Sequence, residues 1–128
     1  MNRAILAGLA ALCLCGCSKW QEHSFQGKAE DYLRDHLKDP SSAQFKNTRV
    51  LWRQDKELIL CGQLNAKNGM GGYTGFVPFF VVGKIEGLGT RDYAATVPSA
   101  SVVTDEEKAE ALAFFKAYEG NCGRLPEF

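Results

Sequence analysis

The chain has 128 residues, and its 15 lysines and arginines balance 15 aspartates and glutamates. This length allows one domain of ordinary size. The zero net charge gives no global electrostatic attraction to nucleic acid or to an anionic membrane surface. Apolar residues make up 45% of the sequence, which argues against a wholly disordered chain. We therefore expect one folded domain that does not bind nucleic acid.

The first 17 residues have the pattern of an export signal. Arg3 precedes the uncharged stretch Ala4–Leu14, which is shorter than the ~20 apolar residues that span a bilayer. The next residues, ending in Gly16 and Cys17, read Leu-Cys-Gly-Cys and resemble the lipobox of bacterial lipoproteins. The resemblance implies cleavage after Gly16, a diacylglyceryl thioether on Cys17 and acylation of the new amino group.

The same segment allows two other interpretations. A cleavage frame ending at Cys15 places the bulky Leu14 where a small residue is needed, and we reject it. A buried N-terminal helix with incidental cysteines is the remaining alternative. In the lipoprotein interpretation Ser18 is not the aspartate of inner-membrane retention, which favours a periplasm-facing anchor in the outer membrane, although other sorting systems read Lys19 differently.

The segment after the signal predicts a tether and then a helix. Residues 17–27 are polar, so the lipidated tether would join a signal peptide of residues 1–16 to a single domain at 28–128. From Lys28 to Asp39 apolar side chains recur every three or four residues, as on one face of an amphipathic helix. Pro40 ends this helix and can begin a new turn, after which Phe45 would enter the core.

Strand-like segments occupy the middle of the chain. The ranges 47–53 and 57–65 are rich in β-favouring residues, and a polar connection of hairpin length joins them. The second range alternates, which predicts one face with Leu58, Leu60, Gly62 and Leu64 and the other with Ile59 and Cys61. The most apolar stretch, 74–85, predicts a buried strand with Pro78 at a bulge or an edge. Residues 94–103 contain no charge and predict an extended crossing segment.

The C-terminal helix has the clearest start signal. Thr104 and Glu107 have the spacing of a capping box, and an apolar stripe follows from Ala111 to Tyr118, with Gly120 suited to the C-terminal cap. A helix at each end of three or four strands predicts an α+β fold, with a small antiparallel sheet packed against an N-terminal and a C-terminal helix.

Two cysteines lie outside the signal region. Cys61 and Cys122 form an even pair in the oxidising compartment that the export signal implies, which predicts a disulfide. A redox-active pair would need a Cys-x-x-Cys spacing or a nearby base, and the sequence shows neither. The two histidines, His23 and His36, do not have zinc-ligand spacing with them.

A glycine-rich loop separates the second and third predicted strands. It lacks the ending of a P-loop and the glycine spacing of a dinucleotide site. One interpretation is a plain connection whose glycines allow positive φ. The other is an exposed recognition loop on a rigid sheet. The candidate partner-binding residues of that loop are Asn65, Lys67, Asn68, Met70, Tyr73 and Phe76.

Three short motifs resemble a family of small exported proteins. They are DPSSAQF at 39–45, CGQLNAKN at 61–68 and GGYTGF at 71–76. Proteins of this family occur in bacteria and their phages, and the similarity spans residues 28–83. The resemblance implies no particular activity, but it directs attention to the loop from Asn65 to Phe76.

The sequence predicts no catalytic residues, no metal ligands and no cofactor. No nucleophile motif or paired-carboxylate spacing is present, His23 falls in the predicted tether, and His36 falls on an apolar helix face. We therefore expect a lipid-anchored, non-enzymatic binding or accessory domain of the cell envelope, with a protein or a cell-wall polymer as partner. The alternatives are an inhibitor or phage-exclusion (immunity) lipoprotein, a cell-wall or periplasmic hydrolase, and a structural subunit of an envelope complex.

Overall fold

In a computed structural model of the protein, which describes residues 3–87, 89–96 and 104–124, two helices enclose a four-stranded sheet. The helices are α1 (Arg3–Asp35) and α2 (Asp105–Cys122). The strands are β1 (Gln44–Trp52), β2 (Glu57–Asn65), β3 (Val77–Glu86) and β4 (Gly89–Thr96). Short 3-10 turns occupy Pro40–Ser42 and Gln54–Lys56. The predicted α+β fold is therefore confirmed.

The strands are antiparallel and lie in chain order, so each one pairs with the next. This arrangement accounts for the proline in β3. Pro78 pairs with Gln63 of β2, whereas the described part of β4 extends only as far as Phe80. A proline lacks the N–H that a central strand needs, and Pro78 lies next to the start of β3, beyond the last pair that the described residues of β4 make.

α1 covers one face of the sheet through residues spaced four apart. Phe25, Ala29 and Leu33 are buried. They pack against alternate residues of β2 and β3, namely Leu58, Leu60, Leu64, Phe79 and Val81. Gly83 leaves the space that the Phe25 ring fills, because a Cβ at residue 83 would lie 2.6 Å from that ring. Burying a phenylalanine side chain stabilises a fold by about 1.5–3 kcal/mol, so Phe25 is a substantial part of the core.

α1 differs from the predicted helix at both of its ends. Residues 18–27, predicted as a tether, are helical, and Phe25 within them is fully buried. The helix continues there because no proline interrupts it and because Phe25 extends the apolar stripe of Ala29 and Leu33 by one turn. At its other end the helix stops at Asp35, before the predicted end at Asp39.

α2 covers the opposite face of the sheet. Its buried residues are Phe114, Tyr118 and Cys122. They pack against Ile59, Cys61 and Phe80, on the face of β2 and β3 that points away from α1. The sequence therefore assigned the two faces of β2 correctly, with Leu58 and Ile59 on opposite sides of the sheet.

Three links hold the C-terminal end of α2. Cys122 forms the predicted disulfide with Cys61 in the middle of β2. Arg49 of β1 donates a hydrogen bond to the carbonyl oxygen of Cys122, and Arg53 donates one to the side chain of Asn121 at 2.6 Å. The guanidinium of Arg49 also places positive charge at the negative end of the helix dipole.

The predicted start of α2 is confirmed and its predicted end is wrong. Thr104 Oγ1 accepts the Glu107 N–H at 3.2 Å, and Glu107 Oε2 accepts the Thr104 N–H at 2.8 Å, which together form a capping box. The helix then runs through Gly120 and ends at Cys122. Gly123 is the cap: its N–H donates a hydrogen bond to the Glu119 carbonyl, and its φ of +79° favours glycine at this position.

The strand boundaries also differ from the predicted ones. β1 begins at Gln44 and not at residue 47. The prediction missed the first residues because Asn47, with a φ of +53°, lies at a register shift that interrupts the alternation of side chains along the strand. β3 begins at Val77 and not at residue 74. Of the predicted crossing segment, residues 94–96 belong to β4, and residues 97–103 lie outside the described residues.

The sheet has two distinct ends. At the turn end lie the tight β1–β2 and β3–β4 connections, and there Trp52 Nε1 donates a hydrogen bond to Glu22 of α1 at 2.7 Å. At the loop end lies the longer β2–β3 connection, close to the point where Leu33 of α1 packs with Leu64. α1 therefore runs along the sheet from the turn end to the loop end.

Candidate functional site

The β2–β3 connection, residues 65–76, is an ordered loop that folds back on itself. Lys67 and Tyr73 pair across it as a β-bridge. Between them the Asn68 N–H donates to the Gly72 carbonyl at 2.8 Å, and the Gly71 N–H donates to the Asn68 carbonyl at 3.0 Å. The φ of +83° at Gly71 favours glycine at this position. The loop is thus a small hairpin with its own hydrogen bonds.

The side chain of Asn68 shapes the tip of this hairpin. Its Oδ1 accepts hydrogen bonds from the N–H groups of Met70 at 3.0 Å and Gly72 at 3.1 Å. Asparagine favours such turns because its short side-chain amide can replace a backbone carbonyl. Asn68 was predicted to contact a partner, but its carbonyl oxygen is already used inside the loop.

Asn65 has a comparable role at the base of the loop. It is only 9% exposed, its Oδ1 accepts the Gly75 N–H at 3.0 Å, and its Nδ2 donates to Gln44 at 3.3 Å. Nearby, Ser42 Oγ accepts the Lys67 N–H at 2.9 Å. Residues 39–45 and 61–76, which carry the three motifs of the sequence, therefore contact each other at the loop end of the sheet.

Three of the predicted residues form the accessible tip. Met70 is 96% exposed and Tyr73 is 48% exposed. Lys67 Nζ lies 5.6 Å from the centre of the Tyr73 ring, and the Tyr73 hydroxyl accepts a 3.5 Å hydrogen bond from Gln44 Nε2. A cation–π contact at an exposed site is worth about 0.5–1 kcal/mol, which favours one orientation of the ring. Met70, Tyr73 and Lys67 thus present a partly oriented surface.

Below the tip, the loop adjoins side chains of β1 and β2. Phe76 is half-buried, with Lys46 Nζ 4.1 Å from its ring centre. Gln63 is fully buried and accepts a 3.0 Å hydrogen bond from Asn47, while its Nε2 has no hydrogen-bond partner among the described residues. Gln63 was not among the residues predicted from the sequence. Its signal was a polar residue on the face of β2 that Ile59 and Cys61 otherwise make apolar.

Titratable groups do not gather at the loop. Lys67 is the one charged residue of the range 65–76. In the described part of the chain, no three His, Cys, Asp or Glu side chains are grouped so that they could hold a metal ion. His36, predicted on the apolar face of α1, is exposed, and its Nδ1 lies 2.7 Å from the Tyr32 carbonyl oxygen. Burial raises the pKa of Tyr118 and the charge of Arg49 opposes this rise, but Tyr118 lies on the buried face of α2 and not at the loop.

Comparisons of the chain with models of protein families, with curated proteins and with solved structures found no significant match. Within the described residues, no helix combines the length and the apolar character needed to cross a bilayer. Cys17 lies in the helical backbone of α1, and the surroundings of its side chain are outside the described part of the structure. The described part of the structure is thus a small α+β domain with a preformed loop at one end.

Proposed function

We propose that this protein is a lipoprotein of the bacterial cell envelope that binds a protein or an envelope polymer, without catalysis, through the loop 65–76. One observation carries the binding role. The hydrogen bonds of Asn68 hold the loop in one shape, and yet Met70 at its tip is 96% exposed. A preformed loop loses little conformational entropy on binding, so more of the contact energy contributes to affinity.

The composition of the tip supports this role. Met70 is a flexible apolar side chain that adapts to the shape of a partner. Tyr73 offers a large ring with a polar hydroxyl, and Lys67 adds one positive charge beside it. The range 65–76 contains no histidine and no carboxylate, the usual general bases of a hydrolase. These features favour binding over catalysis.

Photo-crosslinking in living cells tests the binding role. A photoreactive amino acid at Met70 replaces a side chain that projects from the loop, and the same probe at Glu110, exposed on α2, is the matched control. We expect one discrete adduct from Met70 and none from Glu110. Adding Tyr73→Ala should weaken the Met70 adduct. Equal adducts from both probes, or none from Met70, would contradict a binding role for the loop.

The lipid anchor is tested separately, by labelling cells with radioactive palmitate. The lipobox motif ends at Cys17, so Cys17→Ser should abolish both the label and the membrane association. Cys15→Ser is the matched control because it removes a neighbouring cysteine of the same motif, and it should keep the label. Continued labelling of the Cys17→Ser protein would refute the anchor.

A further inference from the structure

Both tryptophans of the chain lie at the turn end, and both are exposed. Trp20 on α1 is 61% exposed, beside Ile85 and Thr90 of the β3–β4 hairpin. Trp52, the last residue of β1, is 43% exposed and donates a 2.7 Å hydrogen bond to Glu22. Tryptophan is enriched at membrane–water interfaces, because its ring is apolar and its N–H needs a polar partner.

The predicted anchor is very close to Trp20 along the chain. Cys17 precedes Trp20 by three residues, which corresponds to a rise of about 4.5 Å in a helix and at most about 11 Å in an extended chain. The polar interfacial region on each side of a bilayer is about 5–8 Å thick. A lipid on Cys17 would therefore keep Trp20 within or next to this region, whatever conformation the connection adopts.

We propose that the turn end of the domain rests on the bilayer surface, with Trp20 and Trp52 as interfacial contacts, and that the loop end points away from the membrane. This inference rests on the proposed lipidation of Cys17. It adds that the folded domain itself contacts the lipid surface. The helical backbone from Cys17 to Trp20 supports it, because a helix transmits orientation where a flexible tether would not.

The geometry of α1 then places the recognition loop away from the bilayer. Leu33, which packs at the loop end, follows Trp20 by thirteen positions of helix, and this corresponds to a rise of about 20 Å. Met70 at the tip of the loop would be exposed to the aqueous compartment. The orientation thus leaves the loop accessible to a partner that is not embedded in the membrane.

The charges around the β1–β2 turn indicate which lipid chemistry matters. Arg53 and Lys56 are offset by Asp55 and Glu57, so this turn has no net charge. Attraction to anionic headgroups requires clustered basic residues. The contact we propose therefore depends on apolar aromatic rings, which a substitution by phenylalanine keeps, and not on charge. We expect it on zwitterionic phosphatidylcholine as well as on anionic lipid.

Tryptophan fluorescence of the lipidated protein tests the orientation. In the Trp20→Phe variant, Trp52 is the single reporter, and the protein is reconstituted into phosphatidylcholine vesicles with or without brominated acyl chains. We expect Trp52 emission to shift to shorter wavelength in vesicles and to lose intensity when the lipid is brominated. The matched control carries Met70→Trp in addition to Trp20→Phe and Trp52→Phe, and its emission should be the same with both lipids.

The possible outcomes separate this inference from the proposed anchor. Lipidated protein whose Trp52 is not quenched, or is quenched no more than the Met70→Trp reporter, would overturn the orientation and leave the anchor intact. The mass of the N-terminal peptide and flotation with the vesicles report the lipid independently of fluorescence. Absence of the lipid would overturn both the anchor and the orientation.

Discussion

Removal of the Cys61–Cys122 disulfide should release α2 from the sheet. Of the 18 residues of this helix, those that are buried are Phe114, Tyr118 and Cys122. Most of the stability of a helix in a protein comes from the packing of its apolar face and not from its intrinsic propensity. α2 therefore depends on its contact with β2 and β3, and the disulfide keeps the two together when the noncovalent contacts open.

The size of this effect follows from the length of chain that the bond closes. The two cysteines are 61 residues apart, for which the loss of chain entropy in the unfolded state corresponds to about 4 kcal/mol. A domain of this size has a total stability of about 5–15 kcal/mol. The disulfide thus supplies a large share of the free energy of unfolding, and the Cys61→Ala/Cys122→Ala variant should be close to unfolding.

Urea denaturation followed by circular dichroism measures the loss of unfolding free energy, by comparison of the oxidised protein, the reduced protein and the double variant. Hydrogen exchange locates it, and we expect α2 amides to lose more protection than β2 and β3 amides, whose protection should fall only with the global free energy of unfolding. Leu112→Ala is the matched control on the same helix. Leu112 is 74% exposed, so this variant should change stability by less than about 0.5 kcal/mol.

A smaller loss would refute the reasoning. If the double variant loses less than about 1 kcal/mol, chain entropy does not account for the role of the bond. If its α2 amides are also as protected as in the oxidised protein, the packing of Phe114 and Tyr118 is sufficient to hold the helix. The disulfide would then be a redundant link.

Other substitutions test the core packing, the loop and the ionisation of a buried tyrosine. Gly83→Ala should lower the free energy of unfolding in urea by about 1–3 kcal/mol, because the new Cβ would lie 2.6 Å from the Phe25 ring. Gly27→Ala is the control: residue 27 lies in a helix with open space around its Cβ position, so the substitution should raise the free energy of unfolding by up to about 1 kcal/mol. An unchanged Gly83→Ala protein would contradict the packing of α1. Asn68→Ala should speed hydrogen exchange of the amides in 69–72 and weaken the crosslink from the loop without changing the melting temperature, since the partners of Asn68 among the described residues lie within the loop. Unchanged exchange would show that Asn68 does not shape the tip. Burial raises the pKa of Tyr118 above 10.0, so the stability that its protonated form contributes is present below that pH and is lost as the pH rises through the higher folded-state pKa. Tyr118→Phe should make unfolding in urea less dependent on pH in this alkaline range, and an equal pH dependence would refute this.

The elements predicted correctly have local signals. The capping box at Thr104 and the alternation of β2 depend on residues near one another in the chain. The boundaries that were wrong depend on distant partners. Phe25 is a core residue because Gly83 leaves space for its ring, and Asn47 hides the start of β1 because it adopts a positive φ within the sheet. Composition and periodicity do not contain either fact.

The candidate site shows the same division. The glycines and motifs of the sequence pointed to the loop, but they did not predict the hydrogen bonds that its asparagines make. Asn65 and Asn68 are polar residues that serve equally well as ligand contacts or as internal hydrogen-bond acceptors, and the choice depends on which backbone N–H groups lie near them. The N–H groups of Gly72 and Gly75 come within reach only once the hairpin has formed.

The two helices are held to the sheet by different means, and the difference bears on where the protein can be stable. α1 depends on apolar burial through Phe25, Ala29 and Leu33, which is independent of redox conditions. α2 depends on a disulfide that a reducing compartment would not maintain. The proposed function places the protein in an oxidising compartment, where this bond would persist. The same protein made without residues 1–16 in a reducing cytoplasm should lose α2 protection in hydrogen exchange and regain it on oxidation. Equal protection before and after oxidation would contradict the dependence of α2 on the disulfide.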